Sequence, residues 1–374
     1  MKKIKPWLHQ SAYLAPLSPA CRMCATGAKL VLFSTGICHE HCYYCPLSFK
    51  KGGKDVIYAD EWRLSNENDI ETLLQEARFI NAHGAGITGG DPLVVWKRVT
   101  TFIQVMKTTF GDKFHIHLYT SGLHHAEHIP DLVSAGLDEI RFHPRPQQWD
   151  TMSKNPLSQV ITSAVKTGVD TAIEIPVIPG YFHQIFDLLR WSDHQGVSWV
   201  NLNELEFSER NTRAFSRLGF QVKSEVSSAV QGSQLLARRL LRSSAEESFS
   251  VGVHYCSVSF KDGVQLRNRI KRRAAHVAKP YDVVTEDGTL VRGIIVHRST
   301  KRLHHLHQTL QSINKIPSRH LHYNTIKHRL EIGGWILETI ADSLSKQGFQ
   351  CYLIEEYPTA DALEVERIPL PLSV

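Results

Sequence analysis

Short apolar runs alternate with amphipathic stretches over the first 204 residues of the chain. Six of these runs have the length and composition of buried strands. They are Lys29–Thr35, Gly84–Thr88, Phe114–Thr120, Glu139–His143, Asp170–Pro176 and Ser198–Glu204. Helical patterns separate them, for example over Glu71–Ala82 and Arg98–Thr109. Strands that alternate with helices form βα crossovers on a parallel sheet, so the pattern predicts an α/β fold.

The predicted strands run directly into polar or glycine-containing residues. These segments are Thr88-Gly89-Gly90-Asp91, Tyr119-Thr120-Ser121-Gly122, Arg141-Phe142-His143, Glu174 and Asn201-Leu202-Asn203-Glu204. In a parallel α/β barrel the active site lies at the carboxyl ends of the strands. Polar loops are common in any protein, but so many polar strand ends around one opening favour an active site there.

The pattern becomes less regular after Glu204. A helix is predicted over Gln231–Arg242 and one more strand over Phe249–Cys256. Further on, Glu286-Asp287-Gly288 separates two apolar runs, which is a strong hairpin signal. The hairpin strands would be Tyr281–Val284 and Thr289–Val296, followed by a helix near Gly333–Gln347 and a strand near Gln350–Glu356. We therefore expect an N-terminal extension over 1–28, a barrel core with following elements over 29–274, and a small α+β domain over 275–374.

Composition narrows the class of protein. About 42% of the residues are apolar and 21% are charged, which is typical of a soluble globular protein. Membrane association is not expected, because no apolar run approaches the roughly 20 residues that span a bilayer. The basic N-terminus is not followed by an apolar segment, so no signal peptide is predicted. Five of the seven cysteines lie between Cys21 and Cys45, which favours metal binding in a reducing cytoplasm over a disulfide framework.

Three of these cysteines form a compact group. Cys38, Cys42 and Cys45 have the spacing C-x3-C-x2-C on the loop after the first predicted strand. Thiolates are the usual ligands of iron–sulfur clusters, and three of them hold three irons of a [4Fe–4S] cube and leave the fourth iron open. Zinc is an alternative, with His39 or His41 as the fourth ligand, although structural zinc sites usually draw paired ligands from two separate turns.

The cysteine loop resembles the signature of the radical S-adenosylmethionine (SAM) superfamily, C-x3-C-x-aromatic-C, with Tyr44 as the aromatic residue. Gly89-Gly90-Asp91-Pro92 resembles the Gly-Gly-Glu-Pro motif of that family, with Asp in place of Glu. The resemblance spans about Lys29 to Glu204 and implies a partial (β/α)6 TIM-like barrel. Three more segments resemble the branch related to pyruvate formate-lyase activating enzymes, and within it a mainly archaeal group; they are Tyr119–Gly122, Asp138–His143 and Ile175–Gly180.

The resemblance implies roles for particular residues. Cys38, Cys42 and Cys45 would hold the [4Fe–4S] cluster, and SAM would chelate its open iron. The backbone of Gly89, Gly90 and Asp91 would hold the SAM amino group, and Tyr44 would pack near the adenine. The remaining strand-end residues that would meet SAM or substrate are Ser121, His143, Glu174 and Asn203. An external donor of the ferredoxin or flavodoxin type would supply an electron, SAM would be cleaved, and a 5′-deoxyadenosyl radical would abstract hydrogen from a substrate.

A second group of cysteines lies outside this loop. Cys21 and Cys24 form a C-x2-C pair before the first strand, with Cys256 as the expected third ligand and His254 as a possible fourth. The group would bind a second iron–sulfur cluster or zinc, or would be a pair of free thiols. Cys351 lies in an apolar strand and is expected in a core.

The substrate stays open among a protein side chain, an RNA base and a metabolite. The chain lacks the eight-iron ferredoxin-like insert that is common in glycyl-radical activating enzymes. The basic segment Lys261–Arg273 would suit RNA or another polyanion, or form the solvated face of a helix. Two other functional classes remain: a non-catalytic zinc or iron–sulfur protein with a nucleic-acid partner, and an electron carrier.

Overall fold

The computed structural model describes residues 2–371 and divides into two compact units after Leu266. The division falls at the start of a helix, Arg267–Val277, and the boundary expected from the sequence lies within the same helix. Among the described residues, no helix is both long enough and apolar enough to cross a membrane. The two units are described separately below.

Seven parallel strands form the sheet of the N-terminal unit, and each pairs with the next one in chain order. They are β1 (Lys29–Phe33), β2 (Gly84–Thr88), β3 (His115–Thr120), β4 (Glu139–Phe142), β5 (Asp170–Val177), β6 (Trp199–Glu204) and β7 (Gly252–Cys256). The six strands predicted before residue 204 are confirmed within two residues at each end. The seventh, predicted as Phe249–Cys256, adds to the same sheet beside β6.

Short antiparallel strands extend both edges of this sheet. Ala12–Leu14 pairs with β7 and with Lys5–Pro6, and Tyr58–Ala59 pairs with β1 and with Trp62–Arg63. The sheet is therefore an open, partial barrel, which confirms the predicted fold class. Two further short strands, Val222–Ser224 and Ser227–Val230, form a separate hairpin.

Helices follow the strands in the βα pattern. They are α1 (Pro19–Ala25), α2 (Ile70–Phe79), α3 (Trp96–Phe110), α4 (Ile129–Ser134), α5 (Pro156–Lys166), α6 (Phe182–His194), α7 (Thr212–Arg217), α8 (Ser233–Glu246) and α9 (Val258–Phe260), which continues as a π-helix over Lys261–Leu266. Alternate strand residues, such as Ile116 and Leu118 of β3, belong to the apolar core. The residues between them point to the other face of the sheet, because side chains alternate along a strand.

The concave face of the sheet is polar where most barrels are filled with branched apolar residues. Its lining includes His117 and Tyr119 of β3, Arg141 of β4, Glu174 of β5 and Asn201 of β6. Helix α1 lies across the amino-terminal ends of the strands. Its N-cap Ser18 donates a hydrogen bond to Glu139, the first residue of β4. The concave face is thus closed at one end by α1 and open at the end where the cysteine loop begins.

The C-terminal unit is an antiparallel sheet with helices. After α10 (Arg267–Val277) come β8 (Val283–Val284), β9 (Leu290–Val296), α11 (Thr300–Ser312), β10 (Leu321–Asn324), β11 (Arg329–Ile332), α12 (Gly334–Lys346), β12 (Gln350–Glu356) and β13 (Glu364–Leu370). The strand order is β10-β11-β9-β12-β13, and β8 pairs with β9. The predicted hairpin is confirmed, with Val283 opposite Val291. Helices α11 and α12 cover one apolar face of the sheet, and Cys351 is buried there as expected.

Candidate active site

One cavity of about 660 Å³ in the N-terminal unit brings together the residues expected to bind the [4Fe–4S] cluster, SAM and a second metal. It occupies the concave face of the sheet, between α1 and the cysteine loop. Its lining includes Tyr44, Gly89, Gly90, Asp91, Ser121, His143, Glu174 and Asn203, together with Cys38, Cys42, Cys45, Cys21, Cys24, Cys256 and His254. The two cysteine groups, which are separate in sequence, therefore face a common space.

The cysteine loop follows β1 and is partly exposed. The backbone N–H of Cys45 donates to the carbonyl of Cys42 over 3.0 Å, and the N–H of Glu40 donates to the Cys38 sulfur over 3.4 Å. Burial raises the pKa of the Cys38 thiol to about 11 and also raises that of Cys42. Free thiols here would be protonated at neutral pH, so a bound metal is what would keep them as thiolates.

The spacing of the three sulfurs distinguishes a cluster from a single metal ion. Among the described residues, His125, Glu127 and His128 form the one group of three ligand atoms that all lie within 4.8 Å of one another. The sulfurs of Cys38, Cys42 and Cys45 are therefore spread more widely, and neither His39 nor His41 completes a compact set with two of them. A cluster accommodates this spread because each thiolate binds a different iron. The arrangement fits iron–sulfur ligation better than zinc.

The Gly89-Gly90-Asp91 turn packs directly on the backbone that leads into the cysteine loop. The N–H of Gly90 donates to the Thr35 carbonyl over 2.6 Å, and the N–H of Asp91 donates to the Ile37 carbonyl over 2.8 Å. A Cβ on Gly89 would lie 2.3 Å from the Thr35 oxygen, and one on Gly90 would lie 2.2 Å from the Ile37 oxygen. Glycine is therefore required at both positions because the backbone of the cysteine loop approaches so closely.

Asp91 fixes the same turn to the end of β3. Its carboxylate accepts hydrogen bonds from the Thr120 hydroxyl over 2.8 Å, from the Ser121 hydroxyl over 2.6 Å and from the Ser121 N–H over 3.1 Å. It also accepts from the N–H of Leu93, and the residue is 2% exposed. With its N–H and carboxylate engaged in this way, the turn would meet a ligand ammonium group through backbone carbonyl oxygens.

Arg141 and Glu174 form the centre of the polar lining. The guanidinium of Arg141 donates to Glu139 over 2.6 Å and to Glu174 over 2.7 Å. Glu174 also accepts from the side-chain amides of Asn201 over 2.9 Å and Asn203 over 2.8 Å. Burial by itself would raise the pKa of Glu174, but the charge of Arg141 and the two amides hold it below its usual value. The cavity therefore contains a fixed carboxylate anion.

His143 and Tyr44 connect this network to the cysteine loop. The Nδ1 atom of His143 lies 2.7 Å from the carbonyl of Glu174, and its Nε2 atom lies 3.0 Å from the Tyr44 hydroxyl. A carbonyl only accepts, so Nδ1 carries the proton and Nε2 accepts from Tyr44. Burial lowers the pKa of His143, which is consistent with this neutral form.

Several lining residues were given no role at the site from the sequence, although Tyr119, Arg141 and Asn201 belong to the polar strand-end segments. They include Lys29, His117, Tyr119, Arg141, Asn201 and Lys261. Arg141 and Asn201 each lie two positions before a predicted residue, so the alternation along β4 and β6 was an available signal. Lys261 begins the basic segment Lys261–Arg273 but pairs with Glu206 over 2.8 Å in the cavity wall. Arg273 is 5% exposed, so the segment is not one solvated helix face.

Comparisons with known proteins identify the family. Residues 32–191 match the radical SAM superfamily, and residues 288–370 match a domain of unknown function, DUF8061. A protein of Methanocaldococcus jannaschii is 39% identical over 363 residues, which cover 95% of this chain and 93% of the relative. Its name is that of a candidate glycyl-radical enzyme activating enzyme. The chain belongs to the radical SAM superfamily. The resemblance drawn from the cysteine loop and the Gly-Gly-Asp-Pro turn is thereby confirmed.

Two solved structures overlap with this chain at low identity. SuiB of Streptococcus suis bound to SAM is 10% identical with a TM-score of 0.43, over 62% of this chain and 50% of that chain. TsrM, a radical SAM methyltransferase of Kitasatospora setae with cobalamin and a [4Fe–4S] cluster bound, is 10% identical with a TM-score of 0.37. That overlap covers 66% of this chain and 52% of TsrM. The chain thus spans about half the length of these solved proteins.

Membership in the radical SAM superfamily implies a [4Fe–4S] cluster and SAM, and the residues present fit both. Three widely spread thiols of Cys38, Cys42 and Cys45 face the cavity, beside a glycine turn whose carbonyls suit an ammonium group. The polar groups of Glu174 and Asn203 lie farther inside. The roles of these individual residues stay predictions.

The second cysteine group lies on α1 and on β7, and its four side chains line the same cavity. Burial raises the pKa of the Cys21 and Cys24 thiols, the latter to about 11, and raises that of Cys256 further. Burial also lowers the pKa of His254 to about 4 and that of Lys29 to about 8. As in the first group, thiolates would form here only with a partner that stabilises them.

Proposed function

We propose that this chain is an enzyme that reductively cleaves SAM at a [4Fe–4S] cluster held by Cys38, Cys42 and Cys45. The 5′-deoxyadenosyl radical released in this way would abstract a hydrogen atom from a substrate bound in the same cavity. The observation that carries the proposal is the direct packing of the Gly89–Asp91 turn on the backbone of Thr35–Ile37. It joins the cluster loop and the SAM-binding turn into one wall of a cavity.

The chain's own residues would bind and orient the reactants. The carbonyl oxygens of Gly89 and Gly90 would accept hydrogen bonds from the SAM amino group. Glu174 is held as an anion by Arg141, so it would attract a cationic ligand and accept from hydroxyl groups. We assign Ser121, His143 and Asn203 to contacts with SAM or substrate, and Tyr44 to packing beside them. The buried lining would keep water and stray hydrogen donors from the radical.

The electron would come from an external protein of the ferredoxin or flavodoxin type. The cysteine loop supports this, because Cys38, Cys42 and Cys45 are partly exposed and the neighbouring His39 and His41 are exposed. A donor docked on this loop would be close to the cluster.

The same chemistry needs reducing conditions, so we propose that the protein works in the cytoplasm.

For the substrate, we propose a protein or peptide side chain. The support is the name of the Methanocaldococcus jannaschii relative, which points to activation of another enzyme. An RNA base or a metabolite is a second candidate. The basic helix α10 gives RNA limited support, because Arg267 is ion-paired with Asp287 over 2.7 Å. A non-catalytic zinc or iron–sulfur protein that binds nucleic acid would not need the buried polar cavity.

The decisive experiment is SAM cleavage. Anaerobically reconstituted protein with dithionite and SAM should release 5′-deoxyadenosine, and the Cys38→Ala/Cys42→Ala/Cys45→Ala variant should not. Cys351→Ala, which removes a buried thiol of the C-terminal unit, should retain the activity. Iron–sulfur absorbance without cleavage would favour an electron carrier, and retention of zinc alone would favour the non-catalytic class. Deuterium in 5′-deoxyadenosine after incubation with labelled candidates would identify the substrate.

A further inference from the structure

We propose that the cavity holds a second iron–sulfur cluster between α1 and β7, ligated by Cys21, Cys24 and Cys256, with His254 as the fourth ligand. The first observation is placement. Cys21 and Cys24 are three residues apart on α1, which puts them on one face of that helix. His254 and Cys256 occupy alternate positions of β7, which puts them on one face of the sheet. All four side chains line the same cavity.

The helix that carries the first two thiols is firmly placed. Ser18 caps α1 by accepting a hydrogen bond from the N–H of Ala20 over 3.1 Å. The same hydroxyl donates to Glu139 over 2.7 Å and accepts from Arg141 over 3.2 Å. These contacts join α1 to the polar network of the barrel. The positions of Cys21 and Cys24 are therefore set by contacts far apart in sequence, as a ligand site requires.

His254 points to a missing ligand. Its side chain is 3% exposed, yet neither ring nitrogen has a hydrogen-bond partner among the described residues. A buried polar side chain without a partner destabilises the fold, so it rarely persists without an unseen partner. Its neighbours in this part of the cavity are thiols, which are weak donors and acceptors. A metal centre would use the imidazole and the thiols together.

Hydrogen-bond donors already point at one of the sulfurs. The Nη2 atom of Arg141 and the Nδ2 atom of Asn201 each lie 3.6 Å from the sulfur of Cys21. Donors of this kind stabilise the negative charge of cluster sulfurs and tune the reduction potential of the cluster. A pair of inert core thiols would be surrounded by apolar side chains instead.

Spacing favours a cluster over zinc at this site as well. Within residues 2–371, no three of the four ligand atoms lie within 4.8 Å of one another, since that condition is met only by His125, Glu127 and His128. A mononuclear site needs its ligands around one ion, whereas a cluster has a separate iron for each ligand. Cys38, Cys42 and Cys45, which lie in the stretch that matches the radical SAM superfamily, also form no such compact group in the described part of the chain.

The test removes the first cluster so that only the second is measured. The Cys38→Ala/Cys42→Ala/Cys45→Ala variant, reconstituted anaerobically, should retain about four iron atoms per chain, against about eight in the unmodified protein. Adding Cys21→Ala and Cys24→Ala should remove the remaining iron, whereas adding Cys351→Ala should not. Zinc in place of iron in the triple variant would overturn the proposal, and so would the absence of both metals. Because SAM cleavage is not measured, failure of this test and failure of the proposed function are distinguishable.

A second measurement uses the intact holoprotein, in case multiple substitutions impair folding. After reduction, the electron paramagnetic resonance spectrum should contain two cluster signals, of which SAM perturbs one. His254→Gln should change the signal that SAM does not perturb and leave the other signal as it is. A single signal in the unmodified protein, or two signals that are both unaffected by His254→Gln, would contradict the ligand set.

Discussion

Arg141 connects more of the candidate site than any other side chain described above. It contacts Glu139 and Glu174 by ion pairs, Ser18 at the start of α1, and the sulfur of Cys21. It is 3% exposed, so none of these contacts is weakened by solvent. A guanidinium suits this position because it carries several donors in a fixed plane and stays charged when buried.

Replacing Arg141 with Met should therefore destabilise the N-terminal unit strongly. The change leaves Glu139 and Glu174 as buried carboxylates without a countercharge, which typically costs about 3–5 kcal/mol. The free energy of unfolding, measured with urea under anaerobic conditions, should fall by that amount. The control is Arg190→Met. Arg190 pairs with Asp187 and Glu247 on the surface, where such pairs contribute about 1 kcal/mol or less. Equal losses in the two variants would contradict the role given to Arg141.

Gly90→Ala tests the contact between the Gly89–Asp91 turn, which we propose binds SAM, and the cysteine loop. The new Cβ would lie 2.2 Å from the Ile37 oxygen, so the turn and the loop must separate. A misplacement of about 1 Å can cost roughly a hundredfold in a site of this kind. We expect SAM affinity, measured by equilibrium dialysis on reconstituted protein, to fall at least tenfold.

Gly168→Ala is the matched control. Gly168 follows α5 at a φ of +83°, and a Cβ there would meet nothing within 4 Å. The substitution strains the backbone and costs about 1 kcal/mol, but it is remote from the turn. SAM affinity should be unchanged. A loss of affinity in both variants would mean that general destabilisation, not the contact with Ile37, limits binding.

At the scale of secondary-structure elements, the strands whose ends could be predicted are those whose own residues form a clear apolar pattern. Strands β2 and β12 were located to the residue, because each is a short apolar run bounded by turn residues. Helix α11 was missed although Leu303, Leu306 and Leu310 mark its buried side. Strand β13 could not have been predicted from periodicity, because most of its residues are exposed. Its extended conformation is stabilised by antiparallel pairing with β12.

The residues of the candidate site also fall into two groups, those that local sequence predicts and those that depend on the tertiary fold. Residues just after strand ends, such as Asp91 and Ser121, could be predicted because parallel strands end at one opening. The residues that contact them inside the cavity depend on which strands lie beside each other in the sheet. Local sequence does not specify this arrangement of the strands. The closing of the cavity by α1 is a further example. Nothing local to the seven residues of this helix places it across the strand ends.

Ser18→Ala tests whether the anchoring of α1 matters for the second cysteine group. The change removes the N-cap of α1 and the donor to Glu139, which should lower the free energy of unfolding by about 1–2 kcal/mol. With α1 loosened, iron retained by the Cys38→Ala/Cys42→Ala/Cys45→Ala variant should also fall. Ser299→Ala removes the N-cap of α11 in the C-terminal unit and should not affect iron. If both cap variants retain the same iron, α1 does not need its cap to present Cys21 and Cys24.

At the scale of the whole molecule, each unit combines an apolar core with a buried ionic network. In the N-terminal unit the network is centred on Arg141 and Glu174. In the C-terminal unit, Arg292 contacts Glu331 over 3.1 Å, and Arg329 contacts both Glu331 and Glu356. These residues occupy the sheet face opposite the one that α11 and α12 cover. Two separate networks of this kind make the stability of both units sensitive to protonation of a few carboxylates.

Glu331 stabilises the C-terminal unit at neutral pH, and this stabilisation is lost in acid. Burial would raise the pKa of Glu331, but the charges of Arg292 and Arg329 and their hydrogen bonds hold it below the usual value of 4.5. The folded state therefore releases this proton more readily than the unfolded state does. The resulting stabilisation is complete above about pH 4.5 and is lost as the pH falls through the lowered pKa of the folded protein.

Glu331→Gln should accordingly cost about 3 kcal/mol at pH 7, because two buried arginines lose their shared carboxylate. The difference from the unmodified protein should narrow below about pH 4.5, because the unfolded chain takes up a proton at Glu331 there while the folded protein, with its lowered pKa, still resists protonation. Thermal unfolding of the full chain at pH 7, 5 and 4 measures both effects, and comparing the two proteins at each pH cancels the titration of all other groups. Glu338→Gln, on the exposed side of α12, should leave the unfolding temperature unchanged at every pH. A gap between Glu331→Gln and the unmodified protein that stays constant across this range would show that the charge of Glu331 does not stabilise the fold.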